Sequence, residues 1–340
     1  MRNDVRLLAL LYCSTCNHSL ELSQIDETAP DGHIMKGTLV CKACMQNFPI
    51  VRGVPRFVLG EYNEPVNATV KGFGFQWHSS AKVLANNRFS APETFLEFIS
   101  PPVTREFFQG KTVLDAGCGA GRYTRAASAF GAEFVVGLDF SESVEVAFES
   151  TRDLSNVLIV QANIFMMPVP PVFDYAFSIG VLHHTHNPRL AFAWVTSKVK
   201  IGGGVSAWVY SCENNGWIIH GLNPIRKLIT SLLPRPVLLV LAYTLALPLF
   251  LALKLFYRPV GKINALSNLR KRLFYFDYLY FLGEFDFRTQ AYVIFDHLVP
   301  KLTAYICRDK FEDWFNDNQL EQIVITSRAG NSWRGFGIHP

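Results

Sequence analysis

Residues 115–121 place one acid and three glycines at alternate positions: Asp115, Gly117, Gly119 and Gly121. An apolar run at 112–114 reads as a buried strand before them, and residues 123–130 read as the start of a helix after them. Glycines at such a turn let the backbone bend sharply and let a ligand approach without interference from Cβ atoms. A second apolar run, 134–138, ends in Asp139. An acid at that point, about twenty residues beyond the turn, can grip the hydroxyls of a nucleoside ribose. The spacing D-x-G-x-G-x-G differs from the G-x-G-x-x-G of dinucleotide sites, where a helix N-terminus faces a pyrophosphate. A leading carboxylate suits a cationic ligand better than a phosphate.

Four of the seven cysteines form a second group. Cys13-Ser14-Thr15-Cys16 and Cys41-Lys42-Ala43-Cys44 are two C-x-x-C pairs separated by 24 residues. Two such knuckles present four thiolates tetrahedrally, the set that Zn²⁺ takes in a closed structural site. A module this short buries too little surface to hold itself together unaided, so the metal would supply folding energy. Disulfides are the competing reading, but residues 1–12 carry only a short apolar run without a cleavage site, unlike a secretory leader. Cys118, between glycines, reads as a small filler, and the sequence reveals no partner for Cys212 or Cys307.

The elements that must position these residues can be read in outline. Residues 157–160 read as a third strand leading to Gln161-Ala162-Asn163, and 173–179 as a fourth leading to His183-His184-Thr185. A Gly-rich turn at 202–204 precedes a fifth strand, 205–210. Strands alternating with helices predict an α/β fold with a mostly parallel sheet. Later, Phe311, Trp314 and Phe315 recur at helical spacing, and residues 322–326 and 331–337 read as closing strands.

Taken in order, these motifs resemble those of the class I S-adenosylmethionine (SAM) methyltransferases over residues 70–210. The glycine turn is similar to their motif I, and residues 173–185 to motif IV of the type 11 members, including those of quinone biosynthesis. The resemblance implies an α/β Rossmann-like seven-stranded methyltransferase sheet. It implies SAM contacts from Asp115, Gly117, Gly119, Gly121, Asp139, Phe140, Asn163 and Ile164. The family often carries an aspartate where Asn163 stands; the amide oxygen still accepts a hydrogen bond from the adenine amino group, without charge assistance. Phe73-Gly74-Phe75-Gln76-Trp77 resembles an N-terminal cap, which puts Phe75 and Trp77 over the cofactor through cation–π contact with the sulfonium. Packing of the first helix on the sheet is the alternative for these aromatics. Arg122 is expected at the cofactor carboxylate or against a neighbouring acid. SAM arrives activated, so the protein supplies mainly proximity and orientation. A general base is sought at His183 and His184, with a structural role as the alternative.

Residues 41–57, with Phe48-Pro49-Ile50 and Gly53-Val54-Pro55, resemble the zinc ribbon of the small activator proteins of tRNA methyltransferases. A similar ribbon precedes the catalytic domain of bacterial large-subunit ribosomal RNA guanine methyltransferases, and also stands before methyltransferases acting on small molecules.

The expected domains are the ribbon at 1–60, the SAM-binding core at 61–213, an insertion at 214–283 and a completion of the core at 284–340. The net charge of the 340-residue chain is only +4, but residues 214–276 hold nine basic side chains and no acid. Within them, residues 236–253 are an uncharged, leucine-rich run interrupted by Pro248. A spanning helix needs ~20 apolar residues, and a single span would strand the closing elements on the wrong side. A helical lid over the site, or an interfacial helix with basic flanks on anionic lipid, fits better. The expected architecture is therefore a helical hydrophobic insertion after strand five. The expected acceptor is a small-molecule or lipid-linked compound, with peripheral membrane contact through the insertion. Methylation of an rRNA or tRNA base, with the ribbon and basic insertion on RNA, is the alternative. The expected location is cytoplasmic, peripheral at the inner membrane surface.

Overall fold

The computed structural model describes residues 1–58, 92–99, 101–228, 230, 233–299 and 302–340. The N-terminal module is a four-stranded antiparallel sheet of β1 (Glu21–Thr28), β2 (Ile34–Val40), β3 (Asn47–Val51) and β4 (Val54–Pro55). One knuckle precedes β1 and the other joins β2 to β3. Asn17 and Met45, one residue past each C-x-x-C, have φ of 58° and 59°, and their N–H groups donate to the carbonyls of Cys13 and Cys41. Two equivalent tight turns thus aim both cysteine pairs inward.

The core strands are β5 (Thr112–Ala116), β6 (Phe134–Asp139), β7 (Val157–Gln161), β8 (Phe173–Ile179), β9 (Val199–Tyr210), β10 (Glu321–Arg328) and β11 (Ser332–Ile338). They form one seven-stranded sheet in the order β10-β11-β9-β8-β5-β6-β7, parallel from β9 through β7, with β11 antiparallel to both β9 and β10. The order reverses between β5 and β8, where open α/β sheets bind ligands at the carboxyl ends of their strands. Successive residues serve opposite faces: Val113, Val135 and Tyr175 pack with Phe95 and Phe130 on one side. Leu114, Val136 and Ala176 pack with Phe192 and Phe315 on the other.

The ribbon is docked on the free edge of β7. Arg56 forms a parallel bridge with Gln161, and the Phe57 N–H donates to the Gln161 carbonyl at 2.8 Å. Arg56 also reaches Glu145 at 3.0 Å and the Gln161 side chain at 2.8 Å. Gly53 has φ +79°, and a Cβ there would lie 2.4 Å from the Phe148 ring. The module therefore covers an edge that would otherwise present unpaired backbone groups.

Beyond β9 the chain leaves the sheet for a helical insertion. Ser211 pairs with Ile306, and Cys212 is joined to Cys307 by a disulfide, so both ends of the insertion meet at its base. Helix Phe287–Leu298, opened by Asp286 accepting from the Thr289 N–H at 2.7 Å, lies in the region assigned by sequence to completion of the core. It packs instead on helix Arg235–Ala252 through Phe295 and Leu298 against Leu238 and Ala242. Arg235–Lys262 is long and apolar enough to cross a membrane by length and composition, with 22% of its most apolar window buried. Leu249 on this helix lines an internal cavity, while Val240, Leu247 and Leu255 are exposed.

Candidate active site

The glycine turn lies at the carboxyl end of the central strand, and its residues divide into two groups. Asp115 is 2% exposed and accepts from the Thr124 hydroxyl at 2.7 Å, tying the strand to helix Arg122–Ala129. Burial pushes its carboxyl up to about 7, aided by the charge of Asp139. Gly121, with φ +78°, opens that helix, and a Cβ there would press on Ala147 at 3.1 Å. Neither Asp115 nor Gly121 lines the cavity; they shape the turn. Gly117 and Gly119 do line it, with φ of 93° and 53°.

Asp139 ends β6 beside them. One carboxylate oxygen accepts from the Gly119 N–H at 2.9 Å, and the other from the Ser141 N–H at 2.8 Å and hydroxyl at 2.7 Å. Acid and turn are therefore locked in register. Phe140, Asn163 and Ile164 follow on the same wall. The Asn163 side-chain oxygen accepts from the Phe165 N–H at 3.0 Å, leaving its second lone pair for a ligand donor. Arg122 also lines the cavity, its guanidinium 4.2 Å from the Tyr123 ring centroid. Phe75 and Trp77, expected over the cofactor, lie outside the described residues.

The two histidines part company. His183 is fully buried, does not line the cavity, and has no hydrogen-bond partner on either ring nitrogen among the described residues. Its ring lies 4.2 Å from those of both His184 and Tyr210. Burial, then the charges of His184 and Arg226, hold its imidazole well below the usual range. His184 lines the cavity, and its Nδ1 donates to the Leu302 carbonyl at 2.8 Å, so Nε2 is left unprotonated. Burial drives this imidazole down to about 4, against the raising effect of the Leu302 carbonyl. At neutral pH His184 is uncharged and takes up a second proton only weakly.

The cavity measures about 1260 Å³ and runs from the glycine turn into the insertion. Trp194, Trp208, Tyr210, Trp217, Phe274 and Tyr278 belong to its wall, together with Asp296 and His297. Sequence reasoning did not pick these out. The signal available was the density of aromatics in 273–285, without any indication that they faced the glycine turn. The residues present fit SAM: Gly117 and Gly119 leave the backbone bare, and Asp139, Phe140, Asn163 and Ile164 line the same cavity beside them.

At the ribbon's knuckles, the sulfurs of Cys13, Cys16, Cys41 and Cys44 all lie within 4.8 Å of one another. The Cys44 backbone N–H leads in lowering the Cys41 thiol to about 6, so a thiolate is accessible at neutral pH. Four sulfur donors on two knuckles match the closed tetrahedral set of Zn²⁺.

Residues 114–207 match the methyltransferase domain family, and residues 4–53 match the Trm112p-like protein family. The chain carries a methyltransferase domain of the SAM-dependent kind behind a Trm112p-like domain. Among curated relatives, the tRNA U34 carboxymethyltransferase of Pseudoalteromonas translucida is 34% identical over 101 residues, 29% of this chain and 31% of that protein. The protein of the same name from Psychromonas ingrahamii is 41% identical over 95 residues, 27% of this chain and 29% of that one. The chain thus spans about a third of the length of the curated relatives it matches. A solved complex of the Haloferax volcanii Trm112 methyltransferase activator with a methyltransferase shares 12% identity, at a TM-score of 0.45, over 79% of this chain and 98% of that one.

The relatives' name corrects one expectation from sequence. The small-molecule or lipid-linked acceptor was favoured there, with RNA the lesser partner, because the insertion looked too apolar for a polar substrate. Relatives named for tRNA reverse that order. The physical reason lies in the wall: the insertion lines the cavity with aromatic rings as well as aliphatic side chains. Aromatic walls suit a planar base, which stacks on them and is read at its edges.

Proposed function

We propose that this protein transfers a methyl group from SAM to a base of tRNA, and that its four ribbon thiolates hold a structural Zn²⁺. The observation that carries the reading is the single cavity joining the glycine turn to an aromatic chamber. Two further features support it: relatives named for tRNA, and nine basic residues without an acid at 214–276. SAM supplies an activated methyl group on a sulfonium. Gly117, Gly119 and Asp139 bind and orient it, while Phe140 and Asn163 fix the adenine. The aromatic chamber excludes water and holds an unstacked base by its faces, so that proximity provides most of the rate. His184, neutral and on the cavity wall, stands beside the chamber that takes the base.

The test incubates the purified protein and SAM with unmodified tRNA transcripts and analyses the digested nucleosides by mass spectrometry. The expected result is a methylated nucleoside that Asp139→Ala abolishes. SAM binding by calorimetry without any nucleoside product from any tRNA would overturn the reading.

A further inference from the structure

We propose that Trp217 and Phe274, with Lys271 and Arg272 beside them, form a rim on which single-stranded RNA flanking the target base is held. The inference rests on the RNA reading above. Both aromatics belong to the cavity wall, yet Trp217 is 46% and Phe274 is 56% exposed. They therefore mark where the chamber opens to solvent. Their ring centroids lie 5.6 Å apart at an interplanar angle of 68°. Two large rings at the mouth of the chamber leave about half of their apolar surface in water. Their energetic return comes from something that lands on them.

The rim is built, not loose. Phe274 stacks on Tyr275 at 5.1 Å and 19°. Tyr275 holds a left-handed backbone, φ +52°, which is unusual for an aromatic residue and persists only where surroundings impose it. The surroundings are identifiable. The Tyr275 hydroxyl donates to the side-chain oxygen of Asn215, which is 2% exposed. Asn215 in turn donates from Nδ2 to the Ser211 carbonyl at 2.7 Å and the Asn331 carbonyl at 2.8 Å. Phe274 is thus anchored through its neighbour to the ends of β9 and β11.

Charge selects the occupant. Lys271 and Arg272 are exposed and lie within three residues of Phe274, and the first acid on either side of them in the chain is Glu213 before and Asp277 after. Cations beside exposed, sequence-tolerant stacking faces match single-stranded nucleic acid, in which phosphates and bases alternate. A duplex would hide its base faces and use only the cations.

The experiment measures fluorescence anisotropy of a labelled tRNA transcript binding to the full chain across a NaCl series, with SAM affinity followed by calorimetry. Trp217→Leu with Phe274→Leu keeps both side chains apolar and removes stacking. The expected result is roughly 10–100-fold weaker RNA binding with SAM affinity unchanged. Lys271→Gln with Arg272→Gln, at exposed positions that leave the fold alone, is expected to reduce the salt slope by about two. Wild-type binding with both variants equal to it would overturn the rim. No tRNA binding by the wild type at low salt would overturn the RNA reading itself. If the same variants instead lost binding to anionic phosphatidylglycerol vesicles while RNA binding stayed intact, the rim would belong to a lipid surface and the proposal would fall.

Discussion

Gly117 offers the sharpest test of how the cofactor turn is built. Its φ of +93° is costly for any residue with a Cβ, and the added atom would lie 2.3, 2.7 and 2.9 Å from three atoms of Val181. The backbone penalty alone is roughly 1–2 kcal/mol. Forcing Val181 aside adds about 1–3 kcal/mol of overpacking. Gly110 supplies the control: its φ is +66°, but a Cβ there meets nothing within 4 Å. Gly110→Ala should therefore cost only the backbone part, and Gly117→Ala the sum. Thermal unfolding reads the difference, at about 1–2 °C per kcal/mol for a chain of this length. Val181 also lines the cavity, so Gly117→Ala should weaken SAM binding in calorimetry while Gly110→Ala leaves it unchanged. The double variant Gly117→Ala/Val181→Ala should recover most of the overlap component, the contact with the remaining Cβ at 2.9 Å excepted, but not the backbone one, a positive coupling in a double-mutant cycle. The reasoning fails if Gly117→Ala costs no more than Gly110→Ala, or if truncating Val181 restores nothing.

Other outcomes follow from particular groups. Metal analysis of the purified chain should find one zinc per molecule; Cys16→Ser or strong chelation should lose it and melt the ribbon's signals, and full retention would refute the assignment. Asp115 is held protonated toward pH 7 by burial, so the folded state binds a proton that the unfolded chain has released above about 4. The stability of the wild type relative to Asp115→Asn should accordingly fall as pH rises from about 4 to 7, and a flat difference in urea titrations would contradict it. Arg56→Ala should cost about 2 kcal/mol, because it removes charged hydrogen bonds from a mostly buried guanidinium. Limited proteolysis should then cut the ribbon away faster than in the wild type.

Much of the core was legible because its signals are local. A buried strand, a glycine turn and a helix occupy consecutive residues, so Gly117, Gly119 and Asp139 could be placed from spacing alone. Two C-x-x-C pairs announce their convergence for the same reason: a knuckle is one tight turn, and four sulfurs have few other ways to be satisfied. Even so, the sequence treated Asp115 and Gly121 as ligand contacts. Only the packing shows that Thr124 and Ala147 claim them.

What the chain by itself determined, then, is the order of strands, the nucleoside-binding turn and the thiolate cluster, all set by backbone conformation over short spans. Tertiary structure alone decided the rest. It separated His183 from His184, joined Cys212 to Cys307 across 95 residues, and moved helix Phe287–Leu298 into the insertion. It also brought aromatics of the basic, leucine-rich insertion to the cavity that holds the glycine turn. A composition of leucines and rings fixes that a segment will be buried. It does not fix which side faces a cavity, because the energy of burial has no direction.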